Sequence, residues 1–262
     1  MTAPPATITI LPLVPRVILP RQALARTRDS VPPGYGVQEQ CLPFTAASAL
    51  GLLIPAPIRF GFCMLDELPS GCRAFRSPIE KPDAQGRFTD PRVFYVFDNH
   101  ECRFEGNAYE LASSASSGRP SSGVEPGISF FDREDQQHLF KLHLPYVWRT
   151  PDSIDTLFAP LVNRRNVFGV QSGLVETDWY PSPVNLILGK PGGSVHVQIG
   201  EPLAQAIFIP RNLRRPELEI AADHSRASRD GRRRLAEWDQ QHAADRSAYK
   251  RLARSRHGAS ES

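Results

Sequence analysis

No apolar stretch in this sequence approaches the roughly 20 residues that a membrane-spanning helix requires. The apolar run Ile8 to Pro20 lacks a basic leader and is broken by Pro12, Pro15 and Pro20, which suit strand edges and not a signal helix. A cytoplasmic protein with no membrane partner is therefore expected. Cysteine is scarce: Cys41, Cys63, Cys72 and Cys102 form no CxxC pair, which excludes a readable zinc ribbon or thioredoxin-type motif and leaves buried free thiols. The sequence holds no GxSxG elbow, no GxxxxGKS phosphate loop and no GxGxxG, so three common catalytic frameworks are missing as well. Lysine is rare, with 4 against 27 arginines, a ratio that fits bidentate anion contacts and a coding bias equally. The net charge of +3, from 31 basic and 28 acidic side chains, is too small to argue for a nucleic-acid partner.

What is present reads as mainly β. Strand patterns occupy Ile58 to Met64, Arg92 to Phe97, His138 to Leu144, Pro183 to Leu188, Ser194 to Ile199 and Leu203 to Ile209, each bounded by turn residues. The last three, cut apart by Gly189, Pro191, Gly192, Gly193 and Gly200, have the pattern of a β-meander, with Gly192-Gly193 as a hairpin turn. Residues 7 to 19 read as one or two edge strands. Phe44 to Leu53, rich in alanine and leucine and closed by Gly51 and Pro55, fits a short buried helix. The six serines between Ser113 and Ser122 mark a flexible loop over residues 105–127, a tolerated insertion or a lid. From Pro216 charged residues dominate, and Leu235, Trp238, His242, Tyr249 and Leu252 lie at spacings of three, four, seven and three on one helical face. The expected organisation is a β domain over 1–215, of β-clip or barrel-like antiparallel type, and a charged, mostly helical tail over 216–262 that docks on the core or on a partner subunit.

The residues best suited to chemistry cluster in GLVETDWYP. Glu176 and Asp178 are two apart, so in an extended segment both carboxylates project from one side, roughly 6 to 7 Å apart at the backbone. Such a pair suits acid/base work, metal ligation or a bridge to arginines. Arg149, flanked by Trp148 and Pro151 in a WRTP turn, is the expected anion anchor, and Trp179 an apolar wall. His143 stands on the strand face opposite Phe140 and Leu142 and would complete a one-histidine, two-carboxylate set. No HxH, HxD or HxE spacing supports a metal there, so none is assigned, and no cofactor is legible.

The segments CLPFTAASALG, HLPYVWRTP and GLVETDWYP resemble a bacterial family of unknown function in which a CLP segment, a PY(x)xRTP turn, an ETDW cluster and a GEP before the last strand recur in this order. The resemblance spans roughly residues 38 to 210 and implies a shared fold and site. A more remote similarity links GLVETDWYP and GEPLAQAIFIP to the deoxyuridine triphosphatase and deoxycytidine triphosphate deaminase superfamily. It sets Glu176 at the carboxylate position and Gly200 and Gln205 at the following motif, and it implies an often trimeric fold. That family's RSG triplet and glycine-rich arm are absent here. The expectation is a biosynthetic or accessory enzyme acting on a small polar or anionic molecule near Arg149, Glu176 and Asp178, in a homo-oligomer, dimer or trimer. A nucleotide-type hydrolase or deaminase with Glu176 activating water is one alternative, and a non-catalytic binding or assembly module another.

Overall fold

The computed structural model describes residues 7–24, 42–77, 80–97, 109–110, 127–217, 220, 225–245, 248 and 251. The chain divides into two compact units, Met1–Ala25 with Ala47–Arg214, and Arg26–Ala46 with Arg215–Ser262. The first unit is antiparallel β throughout. Its strands are β1 (Thr9–Pro12), β2 (Arg21–Gln22), β3 (Leu52–Pro55), β4 (Phe60–Met64), β5 (Cys72–Arg76), β6 (Arg92–Phe97), β7 (Tyr109–Glu110), β8 (Gly127–Phe130), β9 (Leu139–His143), β10 (Tyr146–Arg149), β11 (Ile154–Ala159), β12 (Gly169–Val170), β13 (Gly173–Val175), β14 (Asn185–Gly189), β15 (Val195–Val197) and β16 (Pro202–Pro210). They form sheets in the orders β13-β11-β16-β3-β2, β12-β14-β9-β8 and β15-β4-β6-β5-β7, with β1-β10 as a separate ribbon. Among the described residues the sheets do not close into a barrel.

All six predicted strands are strands, and all contribute to one core. In β9 alternation is the reason: Phe140, Leu142 and Leu144 are buried while Leu139, Lys141 and His143 on the other face are half-exposed. Phe94 of β6 meets Phe140 of β9 at 4.6 Å, edge to face, so two sheets pack through their aromatic rows. Trp148 of β10 reaches Phe158 of β11 at 5.4 Å and ties the ribbon to the β13-β11-β16-β3-β2 sheet.

Two expectations about local connectivity fail. The PYVWRTP segment is not a turn: Tyr146–Arg149 is β10, in register with β1 from Thr9↔Arg149 to Pro12↔Tyr146. Nor do β14, β15 and β16 form a meander. They belong to three different sheets, β14 pairing with β9, β15 with β4, and β16 with β11 and β3. Gly192-Gly193 therefore links two sheets and is no hairpin turn. Turn residues show where a strand stops but not where the next one pairs. The Gly200-Glu201-Pro202 turn has a structural role of its own: Gly200 has φ +85, its N–H donates to Ala56 O, and the Glu201 carboxylate accepts from Gln198 N–H at 3.1 Å. Gln205 is fully buried within β16, where its amide accepts from Val162 N–H and donates to Leu50 O.

The short helix α1, Leu42–Ser48, is half-buried, with Ser48 alone fully covered, and it stops before Gly51, whose φ of +63 turns the chain into β3. In the second unit, helix α2 runs Arg226–Ala244, its N-terminus capped by the Ser225 hydroxyl accepting from Ser228 N–H. Its predicted apolar stripe is partly covered: Trp238 is half-buried and Leu235 exposed. The side chain of His242, together with Tyr249 and Leu252, lies outside the described residues, as does the 105–127 loop apart from Tyr109–Glu110 and Gly127. No helix among the described residues is long and apolar enough to cross a membrane.

Candidate functional site

Strand β11 and the segment following β13 bring the conspicuous carboxylates together. Asp155 sits in β11 opposite Ile209, fully buried, in a strand whose other members are mostly apolar. Beyond β13 the chain leaves extended geometry: Tyr180 N–H donates to Glu176 O at 3.0 Å, so Glu176 to Tyr180 is a tight turn. Glu176 and Asp178 still face the same group, because β16 ends at Pro210 and the following single turn delivers Arg211 and Arg214 between them.

The contacts form a closed set. Arg211 Nη2 lies 2.7 Å from Asp178 Oδ1, 3.0 Å from Asp155 Oδ1 and 3.8 Å from Glu176 Oε2. Arg214 Nη1 lies 2.9 Å from Glu176 Oε1, and its Nε donates to Asp155 Oδ2. Asp178 Oδ2 also accepts from Ser153 N–H at 3.0 Å, and Ser153, at φ +62, returns its carbonyl to Arg211 N–H at 2.7 Å. Trp179, 61 % exposed, donates its indole N–H to Glu176 Oε2 at 2.5 Å. Three carboxylates meet two guanidiniums in this set, and a third guanidinium, that of Arg149, stands on the same turn.

Beneath the ion pairs runs a buried chain of hydroxyls. Thr156 Oγ1 and Thr177 Oγ1 are 2.6 Å apart, Thr177 Oγ1 and Thr150 Oγ1 2.9 Å, and Thr150 donates to Ile154 O at 2.7 Å. The threonine of ETDW thus locks onto the threonine of WRTP, which explains why the two segments fold as one corner.

The protonation equilibria follow from these contacts. Burial pushes the Asp155 carboxyl up, yet the hydrogen bonds from Arg214 and Arg211 outweigh it and hold the group below the ordinary aspartate range. Asp178 is lowered chiefly by Arg211, and Glu176 by the Trp179 indole and then Arg214.

Of the predicted site residues, Glu176, Asp178 and Trp179 are brought together. Arg149 is placed differently: its Nη1 donates to Tyr180 O at 2.5 Å and Trp148 O at 3.2 Å, so it clamps the turn's backbone. Trp148 is a core residue, and His143 is engaged across the β8–β9 pair by Ser129 Oγ, 2.8 Å from Nε2. Asp155, Arg211, Arg214 and the three threonines were not singled out by sequence. A lone aspartate in an otherwise apolar strand was the available signal for the first of these. Among the described residues no group of three or more His, Cys, Asp or Glu side chains is arranged to hold a metal. No protein-family model matches the chain, and no curated protein matches it.

Proposed function

We propose that the β unit is a binding module, presenting Trp179 from a corner fixed by ion pairs, and that this corner is not a catalytic centre. The observation that supports this reading most is the engagement of all three carboxylates by Arg211 and Arg214. A general acid at neutral pH needs a carboxyl pushed up towards 6 or 7, and a carboxylate held below its ordinary range is a poor base. Trp179 has the properties of a recognition residue: it is exposed, and the bond to Glu176 fixes its ring before any ligand arrives, which reduces the entropy lost on binding. With Arg149 on the same turn the charges of the corner balance, and the exposed indole favours a neutral small polar molecule with a flat apolar face.

Thermal melts of Glu176→Gln, Asp178→Asn and Trp179→Ala test the reading. Both amide variants are expected to melt lower than the wild type, and Trp179→Ala close to it. Unchanged or raised stability in both amide variants overturns the reading in favour of an acid/base pair acting on a small substrate, because like charges held for catalysis are relieved by neutralisation. Sedimentation velocity on the same proteins separates ligand binding from self-assembly: an oligomer lost in Trp179→Ala identifies the occupant of the corner as a second copy of the chain.

A further inference from the structure

A second polar site stands where the chain crosses from β14 to β15. A cleft of about 400 Å³ opens there, lined by Glu80, Lys81, Asp90, Arg92, His138 and Lys190. Lys190 is held by its own N–H donating to His138 O, and Pro191 by accepting from Arg92 Nη1 at 2.8 Å. The cations are recessed. The Lys190 side chain is 10 % exposed and lies 5.9 Å from the ring centroids of both Phe62 and Phe94, and Arg92 stacks 4.5 Å over Phe62. Their partners neutralise them only in part. Arg92 makes a bidentate pair with Asp90, while Glu80 is shared between Lys190 and Arg76, whose guanidinium reaches it at 3.5 Å. With Lys81 at the rim, three cations of the lining, Lys81, Arg92 and Lys190, face two carboxylates, Glu80 and Asp90. Donors also remain: an ammonium carries three N–H groups and Lys190 commits one to Glu80, while a guanidinium carries five and Arg92 commits three to Asp90 and Pro191.

We propose that this cleft binds a small dianion, a phosphate monoester or a dicarboxylate. Recessed positive charge against apolar walls concentrates the local field and raises the affinity for anions above that of an open surface. The size suits a ligand of metabolite scale. Phe88, part of the lining, gives such a molecule an apolar surface for its uncharged portion. The site is separate from the Trp179 corner and stands or falls without it.

Calorimetric titration of the full chain at about pH 8, where a phosphate monoester is doubly charged, tests the proposal with phenyl phosphate in one arm and succinate in the other, ionic strength held constant with sodium chloride. Saturable one-site binding of either is expected, and the arm that binds identifies the oxyanion. Lys81→Glu should weaken it about tenfold or more, the worth of one charge-assisted hydrogen bond, and Lys190→Gln likewise, whereas Arg226→Ala in α2 should leave it unchanged. Lys81 is exposed, so its variant remains informative if Lys190→Gln folds poorly. Absence of saturable heat in both arms overturns the proposal, as does equal weakening by Lys81→Glu and Arg226→Ala.

Discussion

Asp155→Asn removes the charge at the centre of the ion-pair corner while keeping the shape of the side chain. The carboxylate accepts from Arg211 Nε at 3.1 Å and from Arg214 Nε, and it has no exposure of its own. The amide keeps one acceptor and turns an NH2 group towards a guanidinium, so two donors lose an anionic partner at a position that water does not reach. Breaking a buried pair in this way costs about 3–5 kcal/mol. Arg211 and Arg214 are each about a third exposed and recover part of that from solvent, which reduces the expected loss to about 2–3 kcal/mol. For a unit of this size the corresponding fall in melting temperature is roughly 5–10 °C. Urea unfolding followed by near-ultraviolet circular dichroism measures it. The pH dependence supplies a second readout. Because the folded Asp155 carboxyl lies below its ordinary value, the unfolded chain binds more protons between the two values; the contribution is complete above about pH 4–5 and is lost as pH falls through the folded value. The gap between wild type and variant should therefore narrow on acidification. A loss under about 0.5 kcal/mol at neutral pH, or a gap that widens in acid, refutes the assignment of Asp155 as the anchor of the corner.

Two further outcomes can be checked on the same material. Gly51→Ala would set a Cβ 1.9 Å from the Ala206 carbonyl at φ +63 and should cost at least about 3 kcal/mol or prevent folding, whereas Gly71→Ala, at φ +78 with no atom within 4 Å of the added carbon, should cost about 1 kcal/mol in the same denaturation assay. Cys63 is fully buried and its thiol is pushed up to about 11 by burial and then Glu67, so peptide-level mass spectrometry after iodoacetamide treatment at about pH 8 should find it unmodified until denaturant is added; modification in the native protein would contradict its placement in β4.

The strands were legible because each obeys a local rule. Phe140, Leu142 and Leu144 alternate with half-exposed neighbours, and Arg92–Phe97 is β-branched or aromatic after its first residue. Their partners were not legible, because pairing in this fold is long-range: β16 joins β3, some 150 positions earlier, and Gln205 reaches back to Leu50 across 155 residues. A β-meander is the economical reading of three strands separated by short turns, and nothing local contradicts it. The corner was half legible for a similar reason. Glu176, Asp178 and Trp179 stand together in sequence, but the arginines that hold them lie 33 to 38 residues away, in the short segment between the last predicted strand and the tail. With 27 arginines in the chain, no composition argument selects Arg211 and Arg214.

Both polar clusters lie where a strand leaves its sheet, and packing explains why. Within the sheets the inward positions must be apolar, so Phe60, Phe94, Phe140 and Leu188 fill them and no charged group can converge there without a buried partner. At a strand end this alternation lapses, and side chains from different sheets can meet at one point. The end of β16 delivers Arg211 to Asp155 and Asp178, and the crossover after β14 delivers Lys190 to Glu80, 110 residues away. The two clusters differ in what they leave over. At the corner three carboxylates meet Arg211 and Arg214, with Arg149 on the same turn, and the exposed group is an indole; at the crossover the cations of the lining outnumber the carboxylates by one and an exposed lysine stands at the rim. A charge-balanced corner with an exposed ring and a crossover with surplus positive charge suit ligands of different kinds. Added sodium chloride separates them, because screening weakens a charge-driven site and leaves stacking on an aromatic ring nearly untouched.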